Sequence, residues 1–310
     1  MTRLIARSDM TVPQPIFILG APRSFTSVIC TMLGQHPETY GVPELNLFIA
    51  ETLGQLLERL KGVRQFQMHG LLRSVAQLYS GEQTLLSIDM AHRWILNRLH
   101  CSTGEVYIEL SRKVAPLRIV DKSPAYVTKP EILNRIRDTF PNAHYLHLIR
   151  HPRTQGQSMM RMANSAMAIL SNSIDYSTKP PTVDAQYAWY SMQCNILDFL
   201  STVPAEQQMR LRGEDILTDP RSHFEMLCQW LNLSWDESIF QAMLRPQDSP
   251  YAALGPYGAH LGNDLNFLQS PAFHQRAIAP SRLEGPLPWR TDSKEFSPLL
   301  VKLAQELGYQ

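Results

Sequence analysis

Short apolar runs alternate along the chain with longer stretches whose apolar positions recur every three or four residues. The runs PIFILG, LRIVDKSP, AHYLHLIRHP and QMRLRGED are brief, and most end in a loop marked by Pro or Gly, so they predict buried strands. The segments TSVICTMLGQ, LFIAETLGQLLERL, LLRSVAQLY, KPEILNRIRDTF, QSMMRMANSAMAIL, AQYAWYSMQCNILDFL and RSHFEMLCQWL carry helical spacing. Strands separated by helices need crossover connections, so the expected fold is α/β, a mainly parallel central sheet flanked by helices. Residues 45–110 read as almost wholly helical, too long for one crossover, and predict a helical insertion over one end of the sheet. Residues 245–292 mix Pro, Gly and aromatics without a sustained period, and so long an irregular stretch points to function. Its Tyr251, Tyr257, Phe267, Phe273 and Trp289 are expected to wall a pocket, and SPLLVKLAQELG predicts a closing helix. With no internal repeat, residues 1–310 read as one domain.

Composition narrows the function more than the fold. Hydrophobic content of 44% and charged content of 18% describe an ordinary globule with ample core. Lys and Arg number 29 against 28 acidic residues, so no bulk field draws in nucleic acid or an anionic membrane, and neither is expected as a partner. Any bound anion must be caught by placed groups. Cys30, Cys101, Cys194 and Cys228 are scattered without a CxxC pair, which suggests neither a disulfide framework nor a zinc site. The apolar run IFIL is too short for a signal-peptide core or a membrane span, and a reducing cytoplasm is the expected location. The Met-rich SMMRMANSAM reads as core helix, since Met fills irregular gaps.

The chemistry is carried by two strand–loop–helix junctions. In GAPRSFTS, the stretch after the first strand, backbone N–H groups of Ser24, Phe25, Thr26 and Ser27 can cradle a phosphate. The loop departs from the nucleotide-triphosphatase pattern GxxxxGK followed by Ser or Thr: Phe25 stands where the second Gly belongs and Thr26 where the Lys belongs. Arg23 can supply the charge instead, through a fork suited to oxyanions. The plainer alternative is that Pro22 and Ser24 simply start a helix. In YLHLIRHPRTQGQSMM, Arg150 ends a strand and Ser158 lies eight positions on, about two helical turns into the next element. Both can converge on one anion in the crevice at the carboxyl ends of parallel strands. A salt-bridging Arg150 and a helix-facing Ser158 remain the alternative.

PIFILGAPRSFTS, the eight-spaced RHPRTQGQS and RLRGEDILTDPRSHFEMLCQWLNL together resemble the sulfotransferase family that uses 3′-phosphoadenosine 5′-phosphosulfate. The likeness spans roughly residues 15–235, with a weaker echo in GNDLNF and LAQELGY. It implies a P-loop-like fold, the phosphosulfate donor with adenosine 3′,5′-bisphosphate as product, and no metal. The first loop would hold the 5′-phosphosulfate, and Arg150 with Ser158 the 3′-phosphate. Two positions depart from the family: Phe25 replaces the usual Gly, and Gly213 stands near where an aromatic often packs on the adenine.

Sulfuryl transfer needs an in-line nucleophile, a base for its proton, and cations where charge grows on the bridging oxygen. Arg23 and Lys122 of VDKSP are the candidate cations, and Lys122 is expected to point into the same crevice. Glu44, 21 residues after Arg23, is the candidate base, in a spacing similar to that of tyrosylprotein sulfotransferases. It also reads as a first-turn acid favoured by a helix dipole. Other branches of the family use a histidine, for which His260, His274 or His36 could serve. PEL, VDKSPAY and RHP look like the sulfotransferase domains of polyketide olefin-forming assembly lines. That implies a β-hydroxyacyl chain on a carrier protein as acceptor, with a free alcohol or phenol equally open. A kinase-like phosphotransferase and an inactive adenosine-bisphosphate-binding module are the competing classes.

Overall fold

The computed structural model describes residues 12–162 and 166–310, and the side chains of residues 166 and 167 are outside that description. The four predicted strands appear as β1 (Ile16–Leu19), β3 (Arg118–Asp121), β4 (His144–Ile149) and β7 (Gln208–Arg212). A short β2 (Thr39–Gly41) joins them at one edge, in the parallel order β2-β3-β1-β4-β7. Three residues are too few to show an alternation, which is why TYG carries no strand signal. A separate antiparallel pair, β5 (Ile174–Asp175) and β6 (Thr182–Val183), lies outside this sheet.

Helices cover both faces, as buried parallel strands require. Before β4 the chain forms α1 (Thr26–Leu33), α2 (Leu53–Arg59), α3 (His69–Ser80), α4 (Leu85–Leu96), α5 (Thr103–Val114) and α6 (Pro130–Thr139). After β4 come α7 (Pro152–Arg161), α8 (Ala166–Leu170), α9 (Gln186–Leu200), α10 (Gly213–Thr218), α11 (Pro220–Leu231), α12 (Glu237–Met243), α13 (Leu265–Gln269) and α14 (Pro298–Glu306). Alternate residues of each strand feed different cores. Phe17 and Leu19 pack with α2–α6 and α9, whereas Ile16 and Ile18 pack with α1, α11 and α12. Phe17 lies parallel to Tyr145 at 6.0 Å between centroids, within an aromatic group that includes Phe48, Tyr107, Tyr126 and Phe140.

The expected helix over LFIAETLGQLLERL is broken. Leu47–Ile49 is a 3-10 turn, Ala50 is extended, and Thr52 bridges Ser102 before capping α2 with its side chain. The backbone there bonds across to residues 99–103, so pairing between segments overrides the helical spacing. The expected helix QSMMRMANSAMAIL is seen as α7 and α8; its residues 163–165 lie outside the described residues, as does the stretch 1–11 of the chain. No described helix is long and apolar enough to cross a membrane.

His147 and His151 are buried and His144 is half-buried, each near a guanidinium group, and burial together with that charge favours the neutral imidazole. His147 donates from Nε2 to Gln193 Oε1 at 2.7 Å and accepts from Arg210 at Nδ1, and burial lowers its pKa to about 3. Burial and a nearby Arg hold His144 and His151 at about 4. Asp121 works in the opposite direction, since burial raises it to about 7 against the hydroxyls of Ser123 and Tyr126 and the charge of Lys122. Below pH 6.5 the unfolded histidines take up protons that the native ones refuse, so their contribution to stability is lost as pH falls. Between pH 4 and 6 the Asp121 proton offsets one of them. His147→Gln is expected to flatten the loss of stability in that window by about 1.4 kcal/mol per pH unit, read from urea unfolding at several pH values. An unchanged slope would show that His147 is charged in the native state.

Candidate active site

The direction of the crossovers fixes where a ligand fits. From β1 the chain leaves toward β2 and β3, whereas from β4 it leaves toward β7, so the sheet reverses direction between β1 and β4. A crevice outside the carboxyl ends of strands at such a reversal is the usual ligand position in open parallel sheets. Both predicted junctions, residues 20–27 and 150–158, lie there.

In the first loop Arg23 and Phe25 hold φ of 71° and 63°, on either side of Ser24. Residues of alternating hand gather N–H groups into an anion-binding concavity. The first intrahelical bond of α1 runs from Ile29 N to Phe25 O, so the amides of Thr26, Ser27 and Val28 have no partner within the helix. Ser24 Oγ is fully buried with no hydrogen-bond partner among the described residues. Arg23 Nε donates to Ser158 Oγ at 3.0 Å, while its Nη1 is ion-paired with Asp264. Asp264 N donates to Ser27 Oγ at 3.4 Å, so residue 264 grips both the cation and the helix start.

The second junction is built onto the first. Arg150 Nη1 donates to Arg23 O at 2.7 Å, Gln155 Nε2 to Pro22 O at 2.6 Å, and the Arg150 guanidinium lies 4.2 Å above the Phe25 ring. Burial lowers the Arg150 pKa to about 10, with the charges of Arg23 and Arg276 adding to the effect and that of Glu214 opposing it. Glu214 accepts from His151 N at 2.8 Å and from Tyr309 OH at 3.2 Å, so the third motif clamps the loop after β4 and ties in the chain's end. A cleft of about 420 Å³ opens here, lined by Arg23, Phe25, Thr26, Ser27, Arg150 and Ser158 together with Val28, Leu217, Phe267, Phe273 and Arg276.

The two departures at Phe25 and Gly213 are one feature. A Cβ on Gly213 would stand 2.6 Å from Phe25 Cδ2, so the absent side chain makes room for the ring that Arg150 covers. Gly213→Ala is expected to cost about 1–3 kcal/mol in urea unfolding. In a Phe25→Ala background the cost should shrink to within about 0.5 kcal/mol. Equal costs in both backgrounds would mean that the two positions do not compensate.

Glu44 and Lys122 form a pair of their own. Lys122 follows β3 and is 1% exposed, and its Nζ donates to Glu44 Oε1 at 2.5 Å. Glu44 keeps a quarter of its side chain exposed, and Oε2 has no hydrogen-bond partner among the described residues. The Glu44 backbone is wedged between Gly70, where a Cβ would sit 2.0 Å from Glu44 O, and Gly262, whose carbonyl accepts from Glu44 N at 2.7 Å. Two residues on, Asp264 holds Arg23, so a single strap links the Glu44 pair to the loop after β1. Arg73 fastens that strap to α3: its buried guanidinium donates to the carbonyls of Leu261 and Ala253 and to Gln83.

Neither Glu44 nor Lys122 lines the cleft itself; they stand at the other end of this strap. His260 is exposed on the strap, with Nδ1 against Gly255 O at 3.0 Å, and does not line the cleft either. His274 does, whereas His36 is buried and bonded to Ser234 O and Glu38 N. Of the aromatics expected as walls, Phe267 and Phe273 face the cleft. Tyr251 instead is buried against the Tyr40 hydroxyl, Tyr257 is 80% exposed, and Trp289 packs on Gly156. Sequence reasoning gave no individual role to Asp264, Gln155, Glu214, Asp121 or Arg73, although the first four lie inside the motifs GNDLNF, RHPRTQGQS, RLRGED and VDKSP. Asp264 also carries a local signal, as a side chain that caps α13 by accepting from Asn266 N and Phe267 N.

A parallel sheet with two arginine-bearing loops at its reversal point places the molecule among the P-loop-like α/β folds. The chain belongs to the sulfotransferase family, whose family model matches residues 15–237. The sulfotransferase domain from the curacin biosynthetic pathway superposes with a TM-score of 0.77 at 27% identity, over 96% of this chain and 98% of that one. The sulfotransferase domain of the Synechococcus PCC 7002 olefin synthase gives 0.73 at 27% identity, over 97% of both chains. A Mycobacterium avium sulfotransferase, at 15% identity, TM-score 0.51, 97% of this chain and 79% of its own, shares the fold. No curated protein matches by sequence.

Proposed function

We propose that this protein moves the sulfuryl group of 3′-phosphoadenosine 5′-phosphosulfate to a hydroxyl of a small-molecule or carrier-bound acyl acceptor. The observation that carries the reading is the direct joining of the two anion loops, Arg23 Nε to Ser158 Oγ and Arg150 Nη1 to Arg23 O, around one cleft. A ligand with phosphates at two places suits two such loops. The residues also fit the donor on other grounds. Among the described residues Ser24 Oγ is a buried hydroxyl without a partner, the first amides of α1 have none within the helix, and Val28, Leu217 and Phe273 give the cleft an apolar side.

The bound donor supplies an activated sulfuryl group. Arg23 and the loop amides orient its 5′ end, and Arg150 with Ser158 takes the 3′-phosphate. Glu44 receives the acceptor's proton on Oε2, its Oε1 being held by Lys122. Lys122 and Arg23 supply positive charge as the bridging oxygen becomes anionic, the role that metal ions fill in phosphoryl transfer. Helices α2–α5 and the 245–292 segment, in this reading, wall the acceptor side of one domain, with His260 as the alternative base. The likeness to domains of the curacin pathway and of an olefin synthase favours an acyl carrier protein as partner.

A mass-spectrometric screen with the sulfate donor against free alcohols, phenols and β-hydroxyacyl carrier proteins tests this. A mass gain of one sulfuryl group on an acceptor is the expected result. No product from any class, together with no binding of adenosine 3′,5′-bisphosphate, would overturn it.

A further inference from the structure

The proposed chemistry uses Lys122 and leaves its two neighbours, Asp121 and Ser123, without a task. Both are buried, at and just after the end of β3. A buried carboxylate is costly unless donors meet its oxygens. Both Asp121 oxygens are met by hydroxyls: Ser123 Oγ donates to Oδ1 at 2.9 Å and Tyr126 OH to Oδ2 at 3.0 Å.

Those hydroxyls hold more than the carboxylate. Ser123 Oγ has a single proton, and giving it to Asp121 leaves its lone pairs to accept from Asn46 N at 3.1 Å. The Tyr126 hydroxyl faces the backbone of Leu47, the next residue. Asn46 stands two residues after Glu44 in a left-handed turn, with φ of 54°. A residue other than Gly keeps that conformation where its surroundings fix it. The Asn46 side chain adds a second tie, from Nδ2 to Gln67 O at 2.9 Å. Because Ser123 is extended, Asp121 and Ser123 point to one side of the chain and Lys122 to the other. Residues 121–123 therefore grip residues 44–46 twice. Lys122 holds the Glu44 carboxylate, and Ser123 holds the backbone that carries it.

We infer that Asp121 is a positioning residue for Glu44: by taking the Ser123 proton it turns that hydroxyl onto Asn46 N, and so fixes the turn that aims Glu44 Oε2 at the acceptor. The inference rests on the proposed role of Glu44 as base and adds what keeps the base in line. Neither Asp121 nor Ser123 lines the nucleotide cleft, so nucleotide binding is independent of it.

A double-mutant cycle on the full chain tests this, with Ser123→Ala and Glu44→Gln made singly and together. Turnover is read with the acceptor that the mass-spectrometric screen identifies. Ser123→Ala is expected to lower kcat about tenfold, the scale of a modest misplacement of a reacting group. KM for the acceptor and affinity for adenosine 3′,5′-bisphosphate should stay within about twofold of wild type. In the Glu44→Gln background the same change should cost less than about twofold, because the base it aims is already gone. Asp121→Asn keeps an oxygen for Ser123 and should retain kcat within about threefold, whereas Asp121→Leu, of similar shape without an acceptor, should lose as much as Ser123→Ala. Should Ser123→Ala not fold, Tyr126→Phe keeps its ring in the core and goes through the same cycle, with a loss of about threefold expected that again vanishes beside Glu44→Gln.

An undiminished kcat in Ser123→Ala, or an equal factor of loss in both backgrounds, would overturn the positioning role. Equal turnover in Asp121→Asn and Asp121→Leu would remove Asp121 from it. Full turnover in Glu44→Gln would overturn the base and this inference with it, while sulfuryl transfer itself would stand. No transfer by the unaltered protein would overturn the proposed function.

Discussion

Arg150→Ala is expected to weaken binding of adenosine 3′,5′-bisphosphate by about 10²–10³-fold, which makes it the most damaging change on the nucleotide side. Two effects combine. The substitution removes a cation from the cleft, and it also deletes the bond to Arg23 O, so the first loop loses its tie to the second. The ring of Phe25 loses the guanidinium above it, leaving an apolar surface facing water. Hydrogen bonds to charged groups contribute about 1.5–3 kcal/mol each, and losing two near the lower end of that scale gives the stated range. Thr154→Ala removes the remaining Arg150 contact, a 3.1 Å bond from Nε to Thr154 Oγ1, without touching the charge, and should cost less than about tenfold. Calorimetric affinities within threefold of wild type for Arg150→Ala would refute the assignment of this residue to the phosphate.

Glu44→Gln is expected to lower turnover by about 10²–10⁴-fold while leaving affinity for the bisphosphate nearly intact. The amide keeps an oxygen that can still accept from Lys122 Nζ, so the pair's hydrogen bond survives and only the base is lost. Lys122→Ala should, unlike Glu44→Gln, also lower the stability of the fold in thermal unfolding. It leaves the Glu44 carboxylate without the ammonium that holds it, and breaking an ion pair with a buried member costs about 3–5 kcal/mol at full burial, less here because Glu44 is a quarter exposed. Turnover is measured with whichever acceptor the screen identifies. Full activity in Glu44→Gln would move the base to a histidine, with His260 on the same strap as the first to replace.

The local signals were strong wherever function is built from consecutive residues. PIFILG followed by APRSFTS predicts a strand, a tight loop and a helix start, and β1, the two left-handed residues and α1 follow in that order. Arg150 and Ser158 fall at the end of β4 and inside α7, as their eight-residue spacing requires. The failures have a common form. LFIAETLGQLLERL has helical spacing, but its middle pairs with residues 99–103, which no local pattern reveals. Phe25 reads as a defect in the loop until Gly213, far along the chain, is seen to accommodate its ring. The aromatics of the irregular segment divide between core, solvent and cleft according to contacts with Tyr40, Gly156 and α13, none of them nearby in sequence for Tyr251 or Trp289.

The sequence alone determined the α/β class, the two strand–loop–helix junctions and the residue types that could bind and transfer an anionic group. Those depend on alternation, on helix starts and on the donor chemistry of Arg, Ser and backbone amides, all of which act over a few residues. Tertiary structure alone decided that Arg23 meets Ser158 and Asp264, that Arg150 rests on Phe25, and that Lys122 holds Glu44. Each of these contacts joins segments tens to hundreds of residues apart. Their geometry is fixed by how the strand order reverses between β1 and β4 and by where the 245–292 segment packs on the first loop and α3.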